Sequence, residues 1–189
     1  MLDRMHELER RHLADQVDGT PFAQRLRQVP PETGRLLALM AALAPAGQML
    51  EIGTSGGYSG MWLSLACRER GDRLVTFELA EDKVLLASET FRLAEVHDWV
   101  QIVHGNVLDH LPRYQDVAFC FLDTNRALYD AIYAALVPNL VPGGLLLVDN
   151  AISHASELAA FIQRAEQDPQ FDSLVLPVGK GVLVCRKKR

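Results

Sequence analysis

Gln48-Met49-Leu50-Glu51-Ile52-Gly53-Thr54-Ser55-Gly56-Gly57-Tyr58-Ser59 is the stretch on which the fold turns. A short apolar strand ends in an acid, and a glycine-rich turn follows. Gly60-Met61-Trp62-Leu63-Ser64-Leu65-Ala66 then continues as a helix-like run. Strand, glycine turn and helix bring bare backbone close to a small charged ligand. Read by itself, the same pattern is also met by three glycines that only make a tight turn.

Working outward, short apolar runs alternate with helical ones. Strands are expected at 48–52, 73–77, 100–103, 117–122 and 144–148, and helices at 57–70, 81–95, 126–139 and 154–167. Such alternation implies a parallel sheet covered on both faces, a doubly wound α/β fold. The chain ends differently. Phe171–Leu176 and Gly181–Arg186 read as strands joined by only Pro177-Val178-Gly179-Lys180, which permits a hairpin and excludes a crossover. Ahead of the alternation, residues 2–16 read as an amphipathic helix outside the main fold, with Leu2, Met5, Leu8 and Leu13 near one face. Pro30-Pro31-Glu32-Thr33 starts a second helix at 31–44, which Pro45-Ala46-Gly47 ends. The expected organisation is a helical extension at 1–30, capping an acceptor site or packing in a dimer, and one domain at 31–189.

The bulk numbers narrow the class. With 189 residues, 49% of them hydrophobic, the chain can bury a full core. A net charge of -5 argues against broad nucleic-acid binding. Cys67, Cys120 and Cys185 stand apart in apolar stretches, as buried thiols in a reducing cytoplasm would. No apolar run approaches the roughly 18 residues of a membrane span, and the N-terminus lacks the apolar centre of a signal peptide.

Three features build a cofactor site. A dinucleotide fingerprint places glycines as G-x-G-x-x-G. Here Ser55 takes the middle place, and the pattern is Glu51-x-Gly53-x-x-x-Gly57. A carboxylate at that point suits an aminoacyl ammonium group and would repel a pyrophosphate. That points to S-adenosylmethionine (SAM) rather than NAD. Glu78, at the end of the second strand, faces the place where a carboxylate accepts hydrogen bonds from both ribose hydroxyls. A plainer role for Glu78 is a turn or helix cap. Gly105 after the third strand lets backbone approach, and Asn106 is suited to the adenine edge.

Leu122-Asp123-Thr124-Asn125 and Val148-Asp149-Asn150 end the fourth and fifth strands. Carboxyl ends of neighbouring central strands converge on one crevice. Asp123, Asp149 and Asn150 make an all-oxygen donor set, which favours Mg²⁺, Ca²⁺ or Mn²⁺ over Zn²⁺. An acceptor hydroxyl on such a metal has a lowered pKa. The bland alternative is that these residues cap the helices that follow them.

These motifs resemble the SAM-dependent O-methyltransferases of the catechol and caffeoyl-CoA type, including small bacterial members. The resemblance runs over roughly residues 28–189 and rests on several motifs in order. They are Leu50-Glu51-Ile52-Gly53-Thr54 with Gly57-Tyr58-Ser59, Glu78, Gly105-Asn106, Phe121-Leu122-Asp123 with Tyr129, and Pro142-Gly143-Gly144 leading to Asp149-Asn150. It implies a Rossmann-like, seven-stranded, mostly parallel sheet with an antiparallel C-terminal strand and helices on both faces. It implies that Glu51, Gly53, Tyr58 and Ser59 line the methionine end of SAM, that Glu78 holds the ribose, and that Thr54, Gly57, Gly105, Asn106 and Asp123 belong to the same cofactor site. It implies that Asp123, Asp149 and Asn150 hold the divalent metal, and that the protein is a homodimer acting on a small hydroxylated aromatic acceptor.

Two departures stand out. The family pattern after the metal aspartate is Asp-Ala-x-Lys, with the lysine as general base. Here it reads Asp123-Thr124-Asn125-Arg126. Arginine does not deprotonate at physiological pH, so Arg126 is left with orienting substrate or stabilising an oxyanion. His154 is then a candidate base, against the plainer reading of an exposed histidine at a helix start. The family also often carries an insertion after Asp-Asn. Only Ala151-Ile152-Ser153-His154-Ala155 lie there in this chain, which predicts a more open acceptor site. Two alternatives remain beside the leading one: methylation of a hydroxylated tRNA nucleoside, and a SAM-binding protein that has lost transfer through Arg126.

Overall fold

A computed structural model describes residues 1–189, the side chain of Ala23 excepted. Seven strands form one sheet: β1 (Gln48–Ile52), β2 (Leu74–Glu78), β3 (Val100–His104), β4 (Val117–Leu122), β5 (Leu140–Val148), β6 (Phe171–Leu176) and β7 (Val182–Lys187). Their order is β3-β2-β1-β4-β5-β7-β6. β1 to β5 are parallel, whereas β7 runs antiparallel to both β5 and β6. This is the doubly wound, mostly parallel sheet with a terminal hairpin that the sequence predicts.

The helices are α1 (Leu2–Ala14), α2 (Pro31–Leu43), α3 (Tyr58–Arg70), α4 (Glu81–Leu93), α5 (Val107–His110), α6 (Tyr129–Leu136) and α7 (Ala155–Gln167). Because side chains alternate along a strand, each strand feeds two apolar layers. Met49, Phe119 and Phe121 join Met61, Leu63 and Phe91 on the face covered by α2, α3 and α4. Leu50, Ile52, Cys120 and Leu122 join Ile132, Leu158 and Phe161 under α6 and α7. Cys67, Cys120 and Cys185 are buried free thiols. No helix among the described residues is long and apolar enough to cross a membrane.

Several boundaries differ from the sequence reading, each for a local reason. The helix expected at 126–139 is α6 flanked by 3₁₀ turns at Arg126–Leu128 and Val137–Asn139. The Asn125 side chain accepts from Ala127 N–H at 3.2 Å and starts the first of these turns, while Pro138 sits inside the second. β5 begins four residues early, at Leu140, through an irregular register against β4. The short α5 had no periodic signal.

The largest difference lies at the N-terminus. Helix α1 does not stand outside the main fold, because its Met5 and Leu8 are buried in the same apolar layer as α2, α3 and α4. Arg4 reaches Thr90 of α4 through Nε and Nη2, at 3.2 and 2.9 Å. Leu2 and Leu13, expected on the same face, are 63% and 68% exposed.

Register decides where the site lies. Ile52 pairs with Phe77 and with Leu122, and Leu122 pairs with Val148. The strand ends are therefore level, and Gly53, Glu78, Asp123 and Asp149 emerge along one edge. The chain reverses direction of winding between β1 and β4, and crevices open at such switch points.

Candidate active site at the carboxyl edge of the sheet

Gly53 leaves β1 with φ of 105°, a left-handed backbone, and a Cβ there would collide with the Asp123 backbone carbonyl. Glycine is thus required both for the turn and for the close approach of the β1 and β4 ends. Gly57 caps α3 at φ of 86°, and a Cβ on it would press against Phe91 at 2.9 Å. Tyr58 and Ser59, the first residues of α3, are buried beneath this turn.

Glu51 is fully buried beside them. Thr76 Oγ1 donates to Glu51 Oε2 at 2.7 Å. Since Thr76 spends its proton there, the 2.6 Å contact between Thr54 and Thr76 has Thr54 as donor. The Ser59 hydroxyl, close by at the start of α3, also favours the ionised carboxylate. Glu51 Oε1 is buried and has no partner among the described residues. Burial, against the opposing help of Ser59 and Thr76, pushes the Glu51 carboxyl up to about 7. One oxygen is held, and the other is left for a cation or a donor.

Glu78 is organised by backbone. Ser55 N–H donates to its Oε2 at 2.8 Å, and Leu79 and Ala80 N–H donate to its Oε1 at 2.9 and 3.0 Å. The carboxylate makes the turn after β2 and retains lone pairs for further donors. Gly105 has φ of 134°. Asn106 begins α5 as its cap, with Oδ1 accepting from Leu108 N–H at 3.1 Å. The cap engages only the amide oxygen, and the NH₂ group lies outside that bond.

On the other side of Gly53 lie the acids. Asp149 is 1% exposed, and both of its carboxylate oxygens are buried without a partner among the described residues. Asn150 takes a left-handed φ of 67°, and its Nδ2 donates to Asp123 Oδ1 at 3.1 Å. Burial raises the pKa of both aspartates, and for Asp149 the charge of Asp123 adds to it. Two carboxylates and an amide converge, and a buried carboxylate with two orphaned oxygens calls for a cation or a proton. No group of three or more His, Cys, Asp or Glu side chains able to hold a metal occurs among the described residues. The donor set here is completed by an amide, and its hard oxygens suit Mg²⁺ or Mn²⁺.

Arg126 and His154 are not brought into direct contact with this set. Arg126 Nε pairs with Glu157 Oε2 of α7 at 2.7 Å. His154 stands at the start of α7, with Nδ1 2.9 Å from Ser153 Oγ, and that hydroxyl lies 3.4 Å from Asn150 Oδ1. His154 is therefore linked to Asp123 only through two intermediaries. Tyr129 is buried against Phe161, with its hydroxyl unpartnered among the described residues. Met61 lies in the core and Trp62 packs against it, so both serve α3 packing.

Two parts of the site escaped the sequence reading. The first is a strap between α1 and α2. Leu26 N–H donates to Asp15 Oδ2 at 3.0 Å, and Leu26 O accepts from Ser55 Oγ at 2.8 Å. Lys83 Nζ donates to the carbonyls of Gln24 and Arg25 at 2.7 and 3.0 Å. Tyr58 OH bonds Glu9 Oε1 of α1 at 2.6 Å. The strap thus lies against the glycine turn and carries Arg27 toward Asp123, whose ionised form it favours. The second is Lys180 of the β6–β7 loop, whose charge favours ionised Asp123 and Asp149. Neither has a local signal, because each depends on distant segments meeting.

With this geometry in hand, the relatives fall into place. A family model described as O-methyltransferase matches residues 7–188. A catechol O-methyltransferase of Niastella koreensis is 31% identical over 129 residues, covering 66% of this chain and 58% of that protein. The chain thus spans less than two thirds of that relative's length. A catechol O-methyltransferase of Mycobacterium tuberculosis is 32% identical over 133 residues, covering 69% of this chain and 60% of that protein. Among solved structures, the O-methyltransferase TomG of Streptomyces achromogenes, in complex with SAM, superposes with a TM-score of 0.79. It is 25% identical and covers 96% of this chain and 89% of its own. On the match over residues 7–188, the chain belongs to the O-methyltransferase family.

Proposed function

We propose that this protein is a SAM-dependent O-methyltransferase acting on a small, catechol-like hydroxyl acceptor with the help of a divalent metal. The observation that carries the reading is the pairing at one sheet edge of Glu51, buried with one oxygen unpartnered, and Asp149, buried with both unpartnered. An aminoacyl ammonium suits the first and a hard cation the second.

In the proposed reaction the acceptor hydroxyl gives up its proton to solvent, its oxygen takes the methyl group, the carbon–sulfur bond breaks, and sulfur keeps its electron pair as a thioether. The chain's part is positioning and charge placement. Glu51 and Ser59 hold the amino-acid end, and Glu78 holds the ribose. Gly53 lets the donor lie close to the β1 and β4 ends, where Asp123 flanks it. Asp123, Asp149 and Asn150 would hold the metal, whose contribution is to lower the pKa of the acceptor hydroxyl. The homodimer and the cytoplasmic setting belong to the same proposal. So does the narrow acceptor class, to which the two catechol O-methyltransferases among the relatives lend support.

Calorimetric titration with S-adenosylhomocysteine (SAH), the demethylated product, tests the reading, with NAD⁺ as control. Micromolar binding of SAH and none of NAD⁺ is expected. Absence of SAH binding with and without Mg²⁺ sinks it. One observation favours a second reading, a SAM-binding protein without transfer: Arg126 stands where the family lysine would and is turned to Glu157. SAH binding without methyl transfer to any catechol would move the balance to it.

A further inference from the structure

The strap crosses the carboxyl edge of the sheet, and printed contacts fix both ends of the crossing. At one end Leu26 O accepts from Ser55 Oγ at 2.8 Å, beside the end of β1. At the other, Lys180 Nζ lies 3.4 Å from Gln28 O. Lys180 itself is anchored beside the end of β5. Its carbonyl accepts from Ile152 N–H at 3.1 Å and from Ser153 N–H at 2.9 Å, and Gly181 O accepts from Ala151 N–H at 2.9 Å. In the sheet, β4 lies between β1 and β5. Two strand spacings come to about 10 Å. Two peptide units reach about 7 Å, and the Ser55 and Lys180 side chains close the remainder. Arg27, the residue between Leu26 and Gln28, therefore crosses the end of β4, where Asp123 stands.

Both basic residues of this crossing are without a carboxylate. Neither Arg27 nor Lys180 forms an ion pair among the described residues. Arg27 is exposed, and its Cζ lies 4.8 Å from the centroid of the Phe22 ring. A guanidinium resting on a ring face keeps its in-plane N–H groups for another ligand. The Lys180 ammonium has three donors, and its long bond to Gln28 O engages one of them weakly. Arg27 also holds a left-handed φ of 45°, a backbone that disfavours any residue with a Cβ.

We propose that Arg27 and Lys180 together receive a carboxylate carried on the acceptor's ring, so that the preferred acceptor is an acidic catechol. The inference rests on reading this edge as the site of an O-methyltransferase for catechol-like acceptors. An acceptor whose hydroxyls meet Asp123, Asp149 and Asn150 turns the far side of its ring to the strap and the hairpin loop. A carboxylate there gains a planar fork of donors from Arg27 and a point charge from Lys180. It takes no part in the transfer. A ring hydroxyl still gives its proton to solvent and gains the methyl group as the carbon–sulfur bond breaks, with the electron pair left on sulfur.

The probes are catechol, protocatechuate (catechol with a ring carboxylate) and dihydroxybenzylamine, which carries an ammonium instead. Each is titrated calorimetrically into the full-length protein in the presence of SAH and Mg²⁺. Protocatechuate should bind at least tenfold tighter than catechol, and dihydroxybenzylamine more weakly than either. Arg27→Gln and Lys180→Gln should each cut the preference for protocatechuate over catechol at least threefold, and the double variant should nearly abolish it. Residues that only tethered the strap would weaken both acceptors alike and leave that preference unmoved. Arg27 is exposed, so Arg27→Gln tests the charge without disturbing the core. Equal binding of protocatechuate and catechol to wild type overturns the proposal. So does a preference that survives the double variant, which would put the carboxylate elsewhere in the site. Failure of all three probes to bind overturns it as well, and SAH titration then shows how far the failure reaches. SAH binding without any acceptor rejects the catechol-like acceptor and leaves the cofactor site standing, whereas no SAH binding rejects the methyltransferase reading.

Discussion

Glu51 has two pH dependences, and they run in opposite directions. In the ligand-free protein burial raises its carboxyl to about 7, against an ordinary value of 4.5. The folded state binds the proton more tightly than the unfolded chain. Stability from this group is therefore present below pH 4.5 and lost as pH rises to about 7, a change on the order of 3 kcal/mol. Urea unfolding of wild type and Glu51→Gln between pH 5 and 8 checks this, and the variant should lose that slope. Ligand binding has the other sign. An ammonium placed at Oε1 favours the carboxylate, so binding below pH 7 expels a proton. SAH affinity should rise about tenfold per unit as pH climbs toward 7, then level. Calorimetry in two buffers of different ionisation enthalpy reads the released proton, and no buffer dependence at pH 6 would refute the pairing. Gly53 makes a steric case at the same place. With φ of 105° and the Asp123 carbonyl against its Cα, Gly53→Ala should cost about 3 kcal/mol and abolish SAH binding. An alanine variant that binds SAH normally would show that the turn tolerates a side chain. Both residues were legible in the sequence, because a strand-ending acid and its glycine turn are contiguous. What the chain order could not show was that Thr54 and Thr76 would lock one carboxylate oxygen and leave the other open.

The strap between α1 and α2 is held mostly by side chains that reach its backbone, and Lys83 is the tightest of them. It is 7% exposed, and burial lowers its pKa. Its ammonium satisfies the carbonyls of Gln24 and Arg25. Lys83→Met keeps the apolar stem and leaves both carbonyls without that donor, at a cost of roughly 2 kcal/mol. Limited proteolysis should then cut first within 15–30, and SAH should protect wild type more than the variant. Equal cleavage rates in both would show that the strap does not depend on Lys83. No sequence signal announces this element, since residues 17–30 carry neither helical nor strand periodicity. The strands and long helices were readable because each repeats a pattern over its own length. The break in the helix at 126–139, the early start of β5 and the burial of α1 were not, because packing against distant partners decides them. Arg126 shows the same limit. Its identity was plain, but its pairing with Glu157, 31 positions away, was not. Arg126→Ala should therefore change stability by no more than about 1 kcal/mol, as an exposed ion pair does.

In the proposed reading the cofactor half of the site is drawn from β1, β2, β3 and β4, from α3 and from the strap, and the acid half from β4, β5 and the hairpin loop. A ligand lying along that edge touches most of the sheet, so its binding should be felt as a change in the stability of the whole fold. Linkage gives the size. At a hundredfold excess over its dissociation constant, a ligand confined to the native state adds about 2.7 kcal/mol. For a chain of 189 residues that corresponds to a rise in Tm of roughly 5–11 °C. SAH should produce such a shift, and NAD⁺ at the same concentration should produce none, because the Glu51 carboxylate opposes a pyrophosphate. Glu51→Gln should reduce the SAH shift, and Asp149→Ala should leave it largely intact while removing any further shift from Mg²⁺. The two variants thereby separate the halves of the site within one measurement. If SAH and NAD⁺ shift the protein equally, the glycine turn accepts nucleotides without discrimination. The Glu51-x-Gly53 pattern would then mark a fold rather than a ligand.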